Sequence, residues 1–120
     1  MAKRIVIIED DKNIMELLVY LFEDEGYHVT SFTTGKDAAY IAKLSPDLVL
    51  LDINLSGSEK NGDAICSDIK NLPYKEKLPV VLLSAEKNLE SLALSSGADG
   101  YLAKPFDIDS LIMKVKALER

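Results

Sequence analysis

Four sets of polar side chains that could take part in metal or phosphoryl chemistry each come at the end of a short apolar run. They are Glu9-Asp10-Asp11 after Arg4–Ile8, Asp52 at the end of Pro46–Asp52, Ser84 after Pro79–Leu83, and Lys104 after Gly100–Ala103. Apolar runs of this length are typical of strands buried on both faces of a parallel sheet. The carboxyl ends of parallel strands lie at one edge of the sheet, where open α/β folds bind ligands. We therefore expect these side chains to converge on one crevice.

Two carboxylates in one crevice require a counter-charge. Asp10 and Asp52 at a separation of about 5 Å would repel by roughly 3 kcal/mol at an effective dielectric constant near 20. A divalent cation removes this repulsion, and Mg²⁺ suits a site that offers carboxylates, water and a phosphate oxygen. One oxygen of Asp52 could then attack a phosphoryl group in line. Lys104 would give a positive charge to the phosphoryl oxygens or, at rest, to Asp52, and Ser84 would donate its hydroxyl.

Each of these residues also has a simpler explanation when it is taken alone. Asp11 can cap the helix that follows it, Lys104 can be a solvated lysine, and Ser84 can bond to backbone at the end of its strand. The joint pattern of acid, acid, hydroxyl and amine favours a site. A flavin phosphate is disfavoured, because it needs backbone amides after the first strand, where this chain has acids.

Helical periodicity fills the segments between the strands. The apolar positions are Ile14, Leu17, Leu18, Leu21 and Phe22; Ala38, Ile41 and Ala42; Ile65 and Ile69, closed by Leu72-Pro73-Tyr74; Leu89, Leu92 and Ala93 within Asn88–Ser96; and Ile108, Leu111, Ile112, Val115 and Leu118 after a cap at Asp107. Strands alternate with helices five times, which predicts a three-layer (βα)5 sandwich around a parallel sheet. Periodicity leaves the strand order open, but the polar second strand and the short fifth strand suit the edges of an order 2-1-3-4-5.

Composition limits the remaining classes of function. A chain of 120 residues with 48% hydrophobic content predicts one domain over 1–120, and no apolar run is long enough to span a membrane. Without a signal peptide, we expect a soluble, cytoplasmic protein. One cysteine, Cys66, and one histidine, His28, exclude an internal disulfide and a Cys/His zinc site. The net charge of −6 argues against direct nucleic-acid binding.

These motifs resemble the receiver domain of bacterial two-component response regulators of the chemotaxis-regulator type. The matching segments are Ile-Val-Ile-Ile-Glu-Asp-Asp, Pro-Asp-Leu-Val-Leu-Leu-Asp, Pro-Val-Val-Leu-Leu-Ser-Ala and Gly-Ala-Asp-Gly-Tyr-Leu-Ala-Lys-Pro-Phe. The resemblance implies a flavodoxin-like fold in which Asp10, Asp52 and the backbone carbonyl of Asn54 bind Mg²⁺ and Glu9 acts through water. It also implies a cis Lys104-Pro105 bond and a switch that couples Ser84 to the aromatic residue Tyr101.

The function that the resemblance implies is a regulatory switch and not an enzyme with its own substrate. Asp52 would accept a phosphoryl group from a sensor histidine kinase or a phosphotransfer protein, since His28 lies in a strand and cannot be the donor. The change would reach a downstream protein through the fourth helix, fifth strand and fifth helix, with phosphorylation-dependent homodimerisation as one output. Because the chain stops at the fifth helix, we expect no output domain.

Two alternatives stay open at this stage. A haloacid-dehalogenase-type phosphatase also uses an aspartate after a strand, but it needs a second aspartate where this chain has Asn54. A pseudo-receiver would keep the fold and bind a partner without phosphorylation. The loop after Asp52 looks longer than is usual in the family, with Ser56 in place of a proline, and the segment from Ser84 to Lys104 looks shorter. Asn54 and Glu86 flank the site and are expected to tune the lifetime of the phosphoryl group.

Overall fold

A computed structural model describes residues 2–73 and 78–120 and contains the expected alternation of strands and helices. The strands are β1 (Arg4–Ile8), β2 (His28–Phe32), β3 (Leu48–Asp52), β4 (Val80–Ser84) and β5 (Gly100–Ala103). The helices are α1 (Lys12–Asp24), α2 (Ala38–Lys43), α3 (Gly62–Lys70), α4 (Leu89–Ser96) and α5 (Ile108–Leu118). Tyr74, expected at the close of α3, lies outside the described residues.

The five strands form one parallel sheet in the order β2-β1-β3-β4-β5. This confirms the predicted three-layer fold and places the polar second strand and the short fifth strand at the edges. β1 and β3 are neighbours, with Ile8 opposite Leu51, and Asp52 lies opposite Leu83 of β4. The carboxyl ends of the three central strands are therefore level with one another, and the crevice forms there.

Every residue of β3 and β4 is buried because helices cover both faces of the sheet. On one face, alternate strand residues such as Val49 and Leu82 pack with residues of α2, α3 and α4, including Ile41 and Ile65. On the other face, residues of the opposite parity pack with α1 and α5, and Phe22 is fully buried there. Because both faces are covered, these strands consist of continuous apolar runs and not of alternating polar and apolar residues.

Side chains cap the N-termini of two helices, and a glycine ends a third helix at its C-terminus. Asp11 caps α1 by accepting hydrogen bonds from the backbone of Asn13 at 2.9 Å and of Ile14 at 3.1 Å. Asp107 caps α5 by accepting from the backbone of Ser110 at 2.9 Å. Gly97 ends α4 in the left-handed conformation with φ of 79°. The caps at Asp11 and Asp107 were predicted, and the structure confirms them.

Three further features of the structure concern the cysteine, the start of the fourth strand and the length of the helices. Cys66 is fully buried, and its thiol donates to the carbonyl of Ser96 at 3.6 Å, which is typical of a free cysteine in a protein core. The fourth strand begins at Val80 and not at Pro79, since proline has no N–H for the sheet and only its carbonyl accepts, from Val49 at 2.9 Å. Within the described ranges, no helix is long and apolar enough to cross a membrane.

Candidate functional site

The carboxyl ends of β1, β3, β4 and β5 bring the predicted side chains into one crevice. Glu9 follows β1, Asp52 and Ser84 end β3 and β4, and all three are buried, with exposed fractions of 1%, 3% and 1%. Asp10 is half-buried beside them. Lys104 follows β5, and its backbone N–H donates to the carbonyl of Ser84 at 2.9 Å. The sheet therefore positions these groups through its own backbone pairing.

Three carboxylates lie close enough to share one cation. Glu9, Asp10 and Asp52 each offer an oxygen, and these oxygens lie within 4.8 Å of one another. The set contains oxygen donors only, which hard divalent cations such as Mg²⁺ prefer. Asn54 lies two residues beyond Asp52 at the rim of the same crevice. The donor set therefore fits the predicted magnesium site.

Lys104 is shared between two of these carboxylates. Its Nζ lies 2.6 Å from Oε1 of Glu9 and 3.4 Å from Oδ1 of Asp52. The second oxygen of Glu9 accepts from the backbone of Asp11 at 3.2 Å. The sequence led us to expect Asp52 as the resting partner of Lys104, but in the structure Glu9 is the closer one.

The crowding of acids changes the protonation of Asp52. Burial, followed by the hydrogen bond and the charge of Glu9, raises the pKa of Asp52 from 3.8 to about 7, although Lys104 opposes the shift. Burial also acts to raise the pKa of Asp10, but hydrogen bonds from the Ser56 backbone and with Asp52 lower it overall. Burial alone would lower the pKa of Lys104, but Glu9 and Asp52 raise it above its usual value. Without a cation, the site therefore holds more negative charge than its single ammonium can balance.

The loops after β3 and β4 meet across the mouth of the crevice. The side-chain amide of Asn54 donates to Glu86 at 3.1 Å, and the backbone of Glu86 donates to the hydroxyl oxygen of Ser84 at 2.9 Å. The backbone of Ser56 donates to Asp10 at 3.1 Å, in the position where a proline could not donate. These contacts link the rim residues to the acids beneath them.

Gly62 allows the loop after β3 to return against the strand. Its N–H donates to the carbonyl of Ile53 at 2.7 Å. A Cβ at this position would lie 2.0 Å from the carbonyl oxygen of Asp52 and 2.9 Å from Cα of Ile53. Only glycine therefore fits here without moving the backbone that carries Asp52. The sequence did not predict this contact, because it depends on the path by which the loop returns to the strand.

Tyr101 lies on β5 away from the acids, at the outer edge of the sheet. Its side chain is 36% exposed, and Nζ of Lys114 from α5 lies 5.6 Å from the centre of its ring. In the sheet, Tyr101 lies opposite Leu82, and Ser84 lies opposite Ala103. The coupling between Ser84 and Tyr101 stays a prediction.

Comparison with known proteins identifies the architecture. The model of the response regulator receiver domain family matches residues 5–116. The chain belongs to this family. A candidate response regulator from Chloroflexus aurantiacus J-10-fl superimposes with a TM-score of 0.86 at 29% identity, over 98% of this chain and 97% of that chain. NtrX from Brucella abortus is 35% identical over 98% of this chain, with a TM-score of 0.79, and the receiver domain spans only 27% of that chain.

A third solved structure supports the fold alone. The chemotaxis protein CheY4 from Vibrio cholerae is 21% identical and superimposes with a TM-score of 0.84, over 98% of this receiver domain and 99% of that chain. The predicted family and its flavodoxin-like fold are thus confirmed. The Lys104-Pro105 peptide bond is cis, as the resemblance implied. Membership assigns the chain a regulatory role in two-component signalling.

Proposed function

We propose that this receiver domain is a phosphorylation switch in which Asp52 accepts a phosphoryl group from a phosphohistidine. The donor would be a sensor histidine kinase or a phosphotransfer protein. The observation that carries the proposal is the placement of a buried carboxylate, Asp52, between two further acids and the ammonium of Lys104 at the ligand-binding edge of the sheet. The role is regulatory, since the reaction modifies the domain itself.

The transfer is a substitution at phosphorus. One oxygen of Asp52 forms a bond to phosphorus, the phosphorus–nitrogen bond of the phosphohistidine breaks, and its electron pair returns to the imidazole nitrogen. Asp52 must be ionised to attack. A pKa near 7 in the cation-free site leaves a substantial part of Asp52 protonated at neutral pH. A counter-charge in the crevice would therefore favour the reactive form.

The acidic cluster is the proposed Mg²⁺ site. Asp10, Asp52 and the backbone carbonyl of Asn54 would hold the ion, and Glu9 would act through water. When bound, Mg²⁺ supplies positive charge that neutralises the carboxylates and the phosphoryl oxygens. The Ser56 N–H that donates to Asp10 orients this carboxylate. The lowered pKa of Asp10 keeps it ionised as a ligand at all pH values near neutrality.

Lys104 and Ser84 are proposed to bind the phosphoryl group once it is attached. The ammonium of Lys104 already lies within 3.4 Å of Asp52 and would exchange Glu9 for a phosphoryl oxygen. The hydroxyl of Ser84 accepts from the Glu86 backbone, which leaves its own hydrogen free to donate to the phosphoryl group. Asn54 and Glu86 border the approach to phosphorus and would set how long the group persists.

The output would follow from a movement of Ser84 and Tyr101. As Ser84 shifts toward the phosphoryl group, the ring of Tyr101 moves inward and changes the face formed by α4, β5 and α5. A downstream protein or a second copy of the domain would read this face. Sedimentation with and without beryllofluoride and Mg²⁺ would distinguish the two, because only self-association raises the mass of the isolated domain.

The experiment that tests the proposal is phosphorylation with acetyl phosphate, followed by intact mass measurement. The wild-type protein should gain one phosphoryl group in the presence of Mg²⁺ and none after chelation. Asp52→Asn should gain none. Asp11→Asn is the control, because Asp11 is an exposed helix cap that asparagine can replace. Equal labelling of wild type and Asp52→Asn would refute the proposal and favour a phosphorylation-independent adaptor.

A further inference from the structure

The ring of Tyr101 lies close to the ammonium of a lysine on the adjacent helix. Nζ of Lys114 lies 5.6 Å from the ring centre, within the range at which an ammonium is attracted to an aromatic face. Tyr101 is 36% exposed and Lys114 is half-buried. The contact therefore forms while the ring is in its outward position on β5.

Gly100 explains why the lysine reaches this place. A Cβ at Gly100 would lie 3.5 Å from Cδ and 3.8 Å from Cγ of Lys114, and 2.7 Å from Cδ1 of Leu118. The aliphatic part of Lys114 thus runs over the surface that a side chain at position 100 would occupy. Packing of this stem between β5 and α5 fixes the ammonium beside the neighbouring ring.

Among the described residues, no carboxylate forms an ion pair with Lys114. In the part of the chain that the structure describes, the ion pairs of lysines involve residues 60, 70, 104 and 116, and none involves Lys114. Lys116, two residues further along the same helix, instead pairs with Glu25 at 2.6 Å. The aromatic ring is thus the electrostatic partner that the fold provides for Lys114.

We infer that Lys114 is a positioning residue for the switch: its ammonium holds the ring of Tyr101 outward and sets the resting bias against the inward state. The inference rests on the proposed switching role of Tyr101. Inward movement of the ring separates it from Lys114, so the contact stabilises one of the two states only. A contact that differs between two states shifts the population between them.

The expected size of the effect follows from the contact type. A cation–π contact at an exposed site corresponds to a change of roughly two- to fivefold in an equilibrium constant. Removing the charge of Lys114 should therefore raise the inward population by this factor. While the inward state is a minor one, the apparent affinity for a phosphoryl mimic that selects it should rise equally.

The experiment uses the full chain with a ¹³C label in the tyrosine rings, and Tyr101→Phe assigns the signal of Tyr101. Lys114→Met removes the charge and keeps an unbranched stem, whereas Lys114→Arg keeps a cation that can stack on the ring. Lys116→Met is the control for an equal loss of charge on α5. Each variant is recorded without ligand and during titration with beryllofluoride in Mg²⁺.

We expect the Tyr101 signal of Lys114→Met to move, without ligand, toward its position in the beryllofluoride complex. Its apparent affinity for beryllofluoride should rise two- to fivefold, while Lys114→Arg and Lys116→Met remain close to wild type. An unchanged ring signal in Lys114→Met, or an equal change in Lys116→Met, would overturn the inference. A wild-type Tyr101 signal that does not change with beryllofluoride would refute the switching role of Tyr101. The Tyr101 signals of ligand-free wild type and Lys114→Met would then still show, by their difference or identity, whether Lys114 holds the ring.

Discussion

Replacing Asp52 with asparagine should make the cation-free protein more stable, although it removes the proposed phosphoryl acceptor. Asp52 is buried beside Glu9 and Asp10, so its negative charge is less favourable in the folded state than in the unfolded chain. The pKa of Asp52 rises from 3.8 to about 7. Asparagine has a similar shape and no charge, and it therefore relieves the repulsion without opening a cavity.

The magnitude follows from this shift. Since one pH unit corresponds to about 1.4 kcal/mol, a rise from 3.8 to about 7 sets a ceiling near 4 kcal/mol. This shift already includes the opposing charge of Lys104. Because the amide of asparagine is still a polar group that must be buried, we expect a smaller gain of about 1–3 kcal/mol in the free energy of unfolding.

The sign of the pH dependence is fixed. The folded state binds the proton of Asp52 more tightly than the unfolded state, so the favourable contribution of the protonated form is complete below pH 3.8 and is lost as the pH rises through about 7. The advantage of Asp52→Asn should therefore be smallest near pH 4, grow as the pH rises, and be largest above neutral pH.

The assay is urea unfolding in the presence of a chelator, at one pH below and one above the pKa of Asp52, with equal m-values as the check on two-state behaviour. Asp11→Asn serves as the control for loss of an exposed acid. Adding Mg²⁺ should stabilise the wild type and have less effect on Asp52→Asn, because ligand binding to the folded state raises its stability. If Asp52→Asn were no more stable than wild type above neutral pH without a cation, the charge-crowding explanation would be wrong.

Three other substitutions test the surroundings of Asp52. Gly62→Ala should lower the free energy of unfolding by about 1–3 kcal/mol, because the alanine Cβ would lie 2.0 Å from the carbonyl oxygen of Asp52. Urea unfolding measures this loss, and the control Ser67→Ala should show almost none. Lys104→Met should raise the pKa of Asp52 further, since Lys104 lowers it; a carboxyl ¹³C titration without cation checks this, and a fall would contradict it. Glu86→Gln should change the rate of phosphoryl loss, which intact mass measurement follows over time, and should alter the free energy of unfolding by less than about 0.5 kcal/mol. An unchanged rate would show that Glu86 does not influence the lifetime of the phosphoryl group.

Much of the fold could be predicted from the apolar runs, the periodicity and the capping residues of the sequence. Strands buried on both faces leave continuous apolar runs, and β3 and β4 were predicted for this reason from the runs Pro46–Asp52 and Pro79–Leu83. The periodicity changes at Asp11 and Asp107, where capping acids start helices. Because parallel strands end at one edge, polar residues distant in sequence could be assigned to one crevice from the sequence alone.

The finer contacts of the site depend on side-chain conformations and loop paths, which residue type and periodicity do not determine. Lys104 has a flexible stem that reaches either Glu9 or Asp52, and only the packed structure shows that Glu9 is the closer partner. The bond between Asn54 and Glu86 joins two loops whose paths no periodicity predicts. The close approach of Gly62 to the strand likewise depends on how the loop returns, which is a property of tertiary packing.

The most direct test of the account is to locate the phosphoryl group. After reaction with acetyl phosphate and Mg²⁺, borohydride reduction converts an aspartyl phosphate to homoserine, which peptide mass spectrometry can place in the sequence. The account predicts homoserine at position 52 alone, absent when Mg²⁺ is chelated. Homoserine at another position, or labelling of Asp52 that does not depend on Mg²⁺, would contradict it.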